Sequence, residues 1–219
     1  MKTLFKSIFI SILFIGCAQQ TETSQGEEYT PRESVSTELI EFPIPNTTIR
    51  ALEVLNDSTV WFGGSNGHWG YTEDNGRSWL IDSLFVDGKQ LEIRSIEVLE
   101  SGAVMLVGVA EPAVVLRTED KGQLWEIVYQ DTAKTAFFDA VKFSGNRGFL
   151  LGDAQEGCFN LLTSSDDGLT WAKVDCANIP SALAGEGPFA ASNTNVSFIG
   201  DEIWFGTGGK SKSRVLHSG

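Results

Sequence analysis

Three short alternating runs carry a charged side chain in the same place: Arg50 in I-R-A-L-E-V-L, Arg94 in I-R-S-I-E-V-L and Asp139 in F-D-A-V-K-F. A further acid, Asp153, follows the glycine that closes F-L-L-G. Brought together, guanidinium groups and carboxylates make a recognition patch for a protein segment or a glycan. Left apart they are solvated charges at strand ends, and residue types alone leave both readings open. Catalytic chemistry has thinner support. His68 and His217 lack metal-ligand spacing, and S-S-D-D-G from Ser164 lacks the downstream glutamate of a calcium loop. No G-x-G-x-x-G follows a strand and opens a helix, so a dinucleotide site has no support. No metal, no cofactor and no catalytic residue is expected. A net charge of −13 argues against nucleic acid, whose phosphates require clustered lysine and arginine.

The elements that would position these residues are set by one phrase, Ser/Thr-x-Asp-x-Gly-x-x-Trp. It reads T-E-D-N-G-R-S-W from Thr72, T-E-D-K-G-Q-L-W from Thr118 and S-S-D-D-G-L-T-W from Ser164, starting 46 residues apart each time. A fixed period in this range marks a repeated supersecondary unit. Around each copy lie an alternating run, an apolar run closed by glycine (V-W-F-G, M-L-V-G, F-L-L-G and, later, I-W-F-G), a run entering the phrase and a run leaving its tryptophan. Four short strands per repeat make the blade of a β-propeller, so an all-β fold of four-stranded antiparallel blades is expected. The blades fall at about 48–82, 92–130 and 137–177, with an incomplete one at 188–219. Asp74, Asp120 and Asp166 suit a tight turn by accepting backbone N–H bonds, and Gly76, Gly122 and Gly168 tolerate positive φ. Trp79, Trp125 and Trp171 then lock each turn onto its blade. Ligands would meet the opposite ends of the strands, at the starts of the innermost strands and the loops at 65–68, 109–112, 153–157 and 207–213.

These phrases resemble the Asp-box, or BNR repeat, over nearly all of the chain beyond its N-terminal segment; Leu124 replaces the usual Thr or Ser at the seventh position of the second copy. The blade grammar is most similar to propellers related to photosystem II stability and assembly factors. That resemblance implies a non-enzymatic scaffold that holds a protein partner. Sialidases also carry Asp-boxes, which implies a glycoside hydrolase as the alternative. Sialidases have an Arg-Ile/Leu-Pro motif, an arginine triad and a tyrosine nucleophile. The comparable segment here is F-P-I-P from Phe42 without the arginine; Tyr29 precedes the propeller, and Tyr71 and Tyr129 lie beside the boxes. Any such catalytic set is expected beyond Gly219.

The ends of the sequence carry separate signals. Lys2 and Lys6, an apolar run from Ser7 to Ile15, and Gly16-Cys17 form an export signal at 1–17. The Gly-Cys pair resembles the bacterial lipobox, implying lipidation of Cys17 and a cell-envelope protein whose membrane contact is the anchor. Residues 18–37 are too polar to bury a core and read as a tether. Glu38 to Pro43 resembles a strand donated to the last blade. Ser218 stands where Thr72, Thr118 and Ser164 stand, so the expectation is a fragment of a six- to eight-bladed ring, most simply seven-bladed, with a four-bladed ring as the rival. Cys158 and Cys176 flank the third box turn symmetrically, a disulfide in an oxidising compartment or else two buried thiols.

Overall fold

The computed structural model describes residues 34, 36–41, 44, 46–190, 193–210 and 212–218. The 1–17 signal with Cys17 and most of the 18–37 tether lie outside the described residues. The first blade comprises β1 (Ile49–Val54), β2 (Val60–Gly64), β3 (His68–Thr72) and β4 (Leu80–Ser83). A hairpin of β5 (Phe85–Val86) and β6 (Lys89–Gln90) leads to the second blade, β7 (Ile93–Val98), β8 (Val104–Gly108), β9 (Ala113–Thr118) and β10 (Glu126–Asp131). The third contains β11 (Phe138–Ser144), β12 (Arg147–Gln155), β13 (Cys158–Ser164) and β14 (Ala172–Lys173). Each is an antiparallel meander in chain order.

The fourth sheet holds β15 (Glu186–Gly187), β16 (Val196–Ile199), β17 (Glu202–Gly209) and β18 (Arg214–His217). Its innermost position is split: β15 pairs with the Gly208–Gly209 end of β17, β16 pairs with residues 202–205, and β18 occupies the other edge. The sheet therefore starts at Glu186, ahead of the expected 188, and residues 188–190 and 193–195 belong to an insertion between the two parts of the inner strand. In the 38–43 segment, residues 38–41 form no strand and 42 and 43 lie outside the described residues. Ile40 rests instead against Gly76 of the first box turn.

Alternation distributes side chains to the two faces of each blade. Val104 and Leu106 of β8 enter the core shared with the first blade, whereas Met105 and Val107 enter the core shared with the third. Every residue of β8 is buried, which is why V-M-L-V-G reads as a continuous apolar run. A third core joins Leu151 and Phe159 of the third blade to Val196, Phe205 and Leu216 of the fourth sheet.

The box turns are built alike. In the first, Thr72 Oγ1 donates to Asp74 Oδ1 (2.8 Å) and accepts from the Gly76 amide (3.0 Å), while Asp74 accepts from the Ser78 amide (2.8 Å) and hydroxyl (2.6 Å). Ser164, Asp166, Gly168 and Thr170 repeat this pattern in the third. These bonds hold the Asp74 and Asp166 carboxyls at about 2, below an ordinary 3.8. Their contribution to stability is therefore complete above about pH 4 and is lost as pH falls through 2. Asp120 is also lowered, chiefly by the Leu124 amide, but Leu124 supplies no hydroxyl. Trp79 and Trp171 donate to the carbonyls of Gly76 and Gly168 at 3.1 and 3.2 Å. Trp125 does not; its buried Nε1 has no partner, and its ring meets Trp69 edge-on at 5.1 Å.

The box glycine also seats each turn on what precedes it. Gly122 (φ +86°) lies directly against the Trp69 ring of the first blade, where a β-carbon would collide with it, and Gly168 lies against Met105 of the second. Gly122→Ala is expected to destabilise the protein by about 2–4 kcal/mol, combining left-handed strain with overpacking. Gly102→Ala, at a similar φ of +88° with open space around it, should cost only about 1 kcal/mol. Urea unfolding of the two variants measures the difference, and equal losses would show that the Trp69 contact contributes nothing.

Candidate functional site

The three charged residues that the sequence aligns, and Asp153, all sit at β-bulges. The β1–β2 register shifts between Ile49 and Ala51, β7–β8 between Ile93 and Ser95, and β11–β12 between Phe138 and Ala140. The extra residues are Arg50, Arg94 and Asp139. A fourth shift, in β12 against β13 between Gly152 and Ala154, singles out Asp153. A bulge puts two residues opposite one and re-aims the side chain that the ladder leaves out. Asp153 thus belongs to a strand, because β12 and β13 stay paired to Gln155 and Cys158; only Glu156 and Gly157 form the turn of the expected 153–157 loop. Likewise β17 runs through Gly209 into the expected 207–213 loop.

Arg50 is exposed. Asp139 is 1% exposed, and neither of its oxygens accepts a hydrogen bond. Burial is the main reason its carboxyl is pushed up to about 8; the charge of Asp153 raises it further and that of Arg94 opposes the rise. Burial also raises Asp153. Arg94 reaches over the Phe137 ring, 5.7 Å from its centroid, with its buried Nε unpartnered. The structure therefore brings Arg94, Asp139 and Asp153 into one electrostatic cluster, with polar groups buried and unmet.

The neighbouring fourth sheet completes this end of the blades. Asp153 lies against Gly187, which has no side chain to displace it. Glu186 is bonded by Arg214 (Nε 2.7 Å) and by the Leu183 amide (2.8 Å), and these with the Thr207 hydroxyl hold its carboxyl at about 2. A cavity of about 830 Å³ opens between the third blade and the fourth sheet, with Asp153, Gly187 and Phe189 in its wall. Trp69, next to the 65–68 loop, is buried in the first core.

A second polar group joins the inner strands and was not legible in the repeat. Ser95 Oγ accepts from the Val141 amide (2.9 Å), Glu97 accepts from the Phe143 amide (3.3 Å) and from Lys142 Nζ (2.8 Å). The side chains of β7 thereby satisfy amides on the open inner edge of β11, which would otherwise be costly. Asn193, from the insertion, donates to the Ile96 carbonyl at 2.7 Å and accepts from Ser95. These groups are occupied with one another and serve the fold.

Cys158 and Cys176 are joined by a disulfide, Cα atoms 5.8 Å apart, tying β13 to the turn at Cys176–Asn178. Among the described residues no group of three or more His, Cys, Asp or Glu could hold a metal ion, and no helix is long and apolar enough to cross a membrane.

Blades of four antiparallel strands, Asp-box turns and bulged inner strands define an Asp-box β-propeller. No family model and no curated protein matches the chain. Among solved structures it is similar to YCF48 bound to D1 peptide, with 17% identity, 76% of this chain and 52% of that one covered, and a TM-score of 0.50. It is also similar to YCF48 from Cyanidioschyzon merolae, with 15% identity, 82% and 59% covered, and a TM-score of 0.51. A third is the GH74 xyloglucanase from Xanthomonas campestris, with 16% identity, 73% and 27% covered, and a TM-score of 0.50. At these identities the likeness is one of fold, and the chain spans little more than half the length of the two YCF48 structures.

A folded carboxyl at about 8 against 3.8 keeps a proton that the unfolded chain gives up, so its stabilising effect is full below pH 4 and is lost as pH rises to 8. Asp139→Asn should leave the melting temperature unchanged at pH 4 and raise stability at pH 8 by roughly 1–3 kcal/mol, the scale of an unmet buried polar group. Thermal melts at the two pH values decide this; a loss of stability at pH 8 would mean that the carboxylate has a partner.

Proposed function

We propose that the protein is an exported, lipid-anchored scaffold that binds a protein segment or a glycan, without catalysis, on the propeller face carrying Arg50, Arg94, Asp139 and Asp153. The observation behind this reading is that all four residues occupy bulges of inner or adjoining strands, and that the cluster of Arg94, Asp139 and Asp153 leaves buried polar groups unmet. Stability alone would not keep such an arrangement, whereas binding gives it a use. The likeness to YCF48, which has been seen bound to D1 peptide, supports a protein segment as the ligand. The lipobox-like Gly16-Cys17 supports the anchor, and the Cys158–Cys176 bond fits an oxidising compartment.

The competing reading is a glycoside hydrolase, either sialidase-like or of the GH74 kind. Asp139 and Asp153 are the observation in its favour, since two carboxyls with one protonated at neutral pH can serve as acid and base. Turnover of a fluorogenic sialoside or of xyloglucan would establish it.

Affinity capture from envelope extracts tests the scaffold reading with wild type beside Arg50→Glu plus Arg94→Glu. A specific partner should be recovered from the membrane fraction by wild type and fall at least tenfold with the double variant. Unchanged recovery would remove this face from the function.

A further inference from the structure

We propose that the cavity between the third blade and the fourth sheet is a docking site for a cationic group, the ammonium of a lysine or the guanidinium of an arginine. The inference rests on the binding role proposed above and names the chemistry that the bound segment must carry.

Among the described residues, the cavity wall contains two acids and no lysine, arginine or histidine. Glu186 is already held by Arg214, but the carboxylate of Asp153 has no hydrogen-bond donor among the described residues. The Phe189 ring, 59% exposed, lies on Gly208, where a β-carbon would sit 3.0 Å from Cε2. An acid and an exposed aromatic face in one recess suit a cation, which gains from the carboxylate and from the ring. Neither attracts an anion.

Asp139 stands behind this wall and does not itself line the cavity. It flanks the Phe138–Gly152 pair from the β11 side as Asp153 does from the β12 side, nine-tenths buried and more, with both oxygens unmet. A cation bound at Asp153 would offset the unfavourable charge that Asp153 imposes on Asp139. Arg94 bonds neither Asp139 oxygen; its guanidinium lies over the Phe137 ring, and it does not line the cavity. The net charge of −13 would draw a cationic segment in.

Selection from a random heptapeptide display library on the full chain tests the site, followed by anisotropy measurements of the enriched peptides. Enrichment of lysine or arginine at one fixed position is expected, with affinity reduced at least tenfold by Asp153→Asn and by Phe189→Ala. Circular dichroism of both variants would verify that they remain folded. Enrichment of acidic or aliphatic residues, or basic peptides indifferent to Asp153→Asn, would overturn the cation site and leave the scaffold role standing. No enrichment of any peptide would count against both.

Discussion

A serine or threonine hydroxyl that donates to an aspartate and accepts from a glycine amide four residues on is the interaction from which the rest of this molecule follows. In Thr72, Thr118 and Ser164 that one hydroxyl closes the turn between the third and fourth strands. It also fixes the glycine in a left-handed conformation with a bare face. That face is what the preceding structure occupies: Ile40 at Gly76, Trp69 at Gly122, Met105 at Gly168. The turn is therefore a seat between units as well as a bend within one. Arg117 of the second blade reinforces it by donating to the carbonyl of Asp167, in the third box, at 3.0 Å.

The same strands have a different task at their other end. Blades packed face to face leave their innermost strands with one unpaired edge, and in this protein side chains cover it: Ser95 and Glu97 on the β11 amides, Asn193 on the Ile96 carbonyl. The bulges at Arg94 and Asp139 lie just beyond this covered stretch. The regular ladder carries the packing, and the residues omitted from the inner strands and β12 are charged, whereas the one omitted from β10, Val128, packs on the core. Turn seats at one end and bulges at the other explain why the most distinctive residues of the chain are not the ones that meet a ligand.

What was legible in sequence follows from the range of the forces involved. The boxes, the glycine-closed second strands and the alternation of β8 are local patterns, and they locate three blades and the matching places of Arg50, Arg94 and Asp139. A bulge adds one residue without changing residue types, so alternation alone does not announce it. Leu124 is informative in both views: it breaks the phrase in sequence, and in the structure it deprives Asp120 of the hydroxyl that Asp74 and Asp166 receive. Asn193 had no local signal at all. It bonds residues 96 to 98 positions away, through an insertion that has no counterpart in the other blades. The cavity wall draws Pro188 and Phe189 from the same insertion. So the fold was readable from its repeat, whereas the surroundings of the candidate site arise where the repeat is interrupted.

The central claim is this division between turns that hold the fold and charged bulges that serve a ligand. A site-saturation scan of the propeller, scored by protease resistance, measures it directly. The account predicts that Thr72, Gly76, Thr118, Gly122, Ser164 and Gly168 tolerate almost no replacement, while neutral residues at Arg50, Arg94, Asp139 and Asp153 preserve or increase resistance. Equal intolerance at the bulge residues would contradict it, since they would then be part of what holds the blades together.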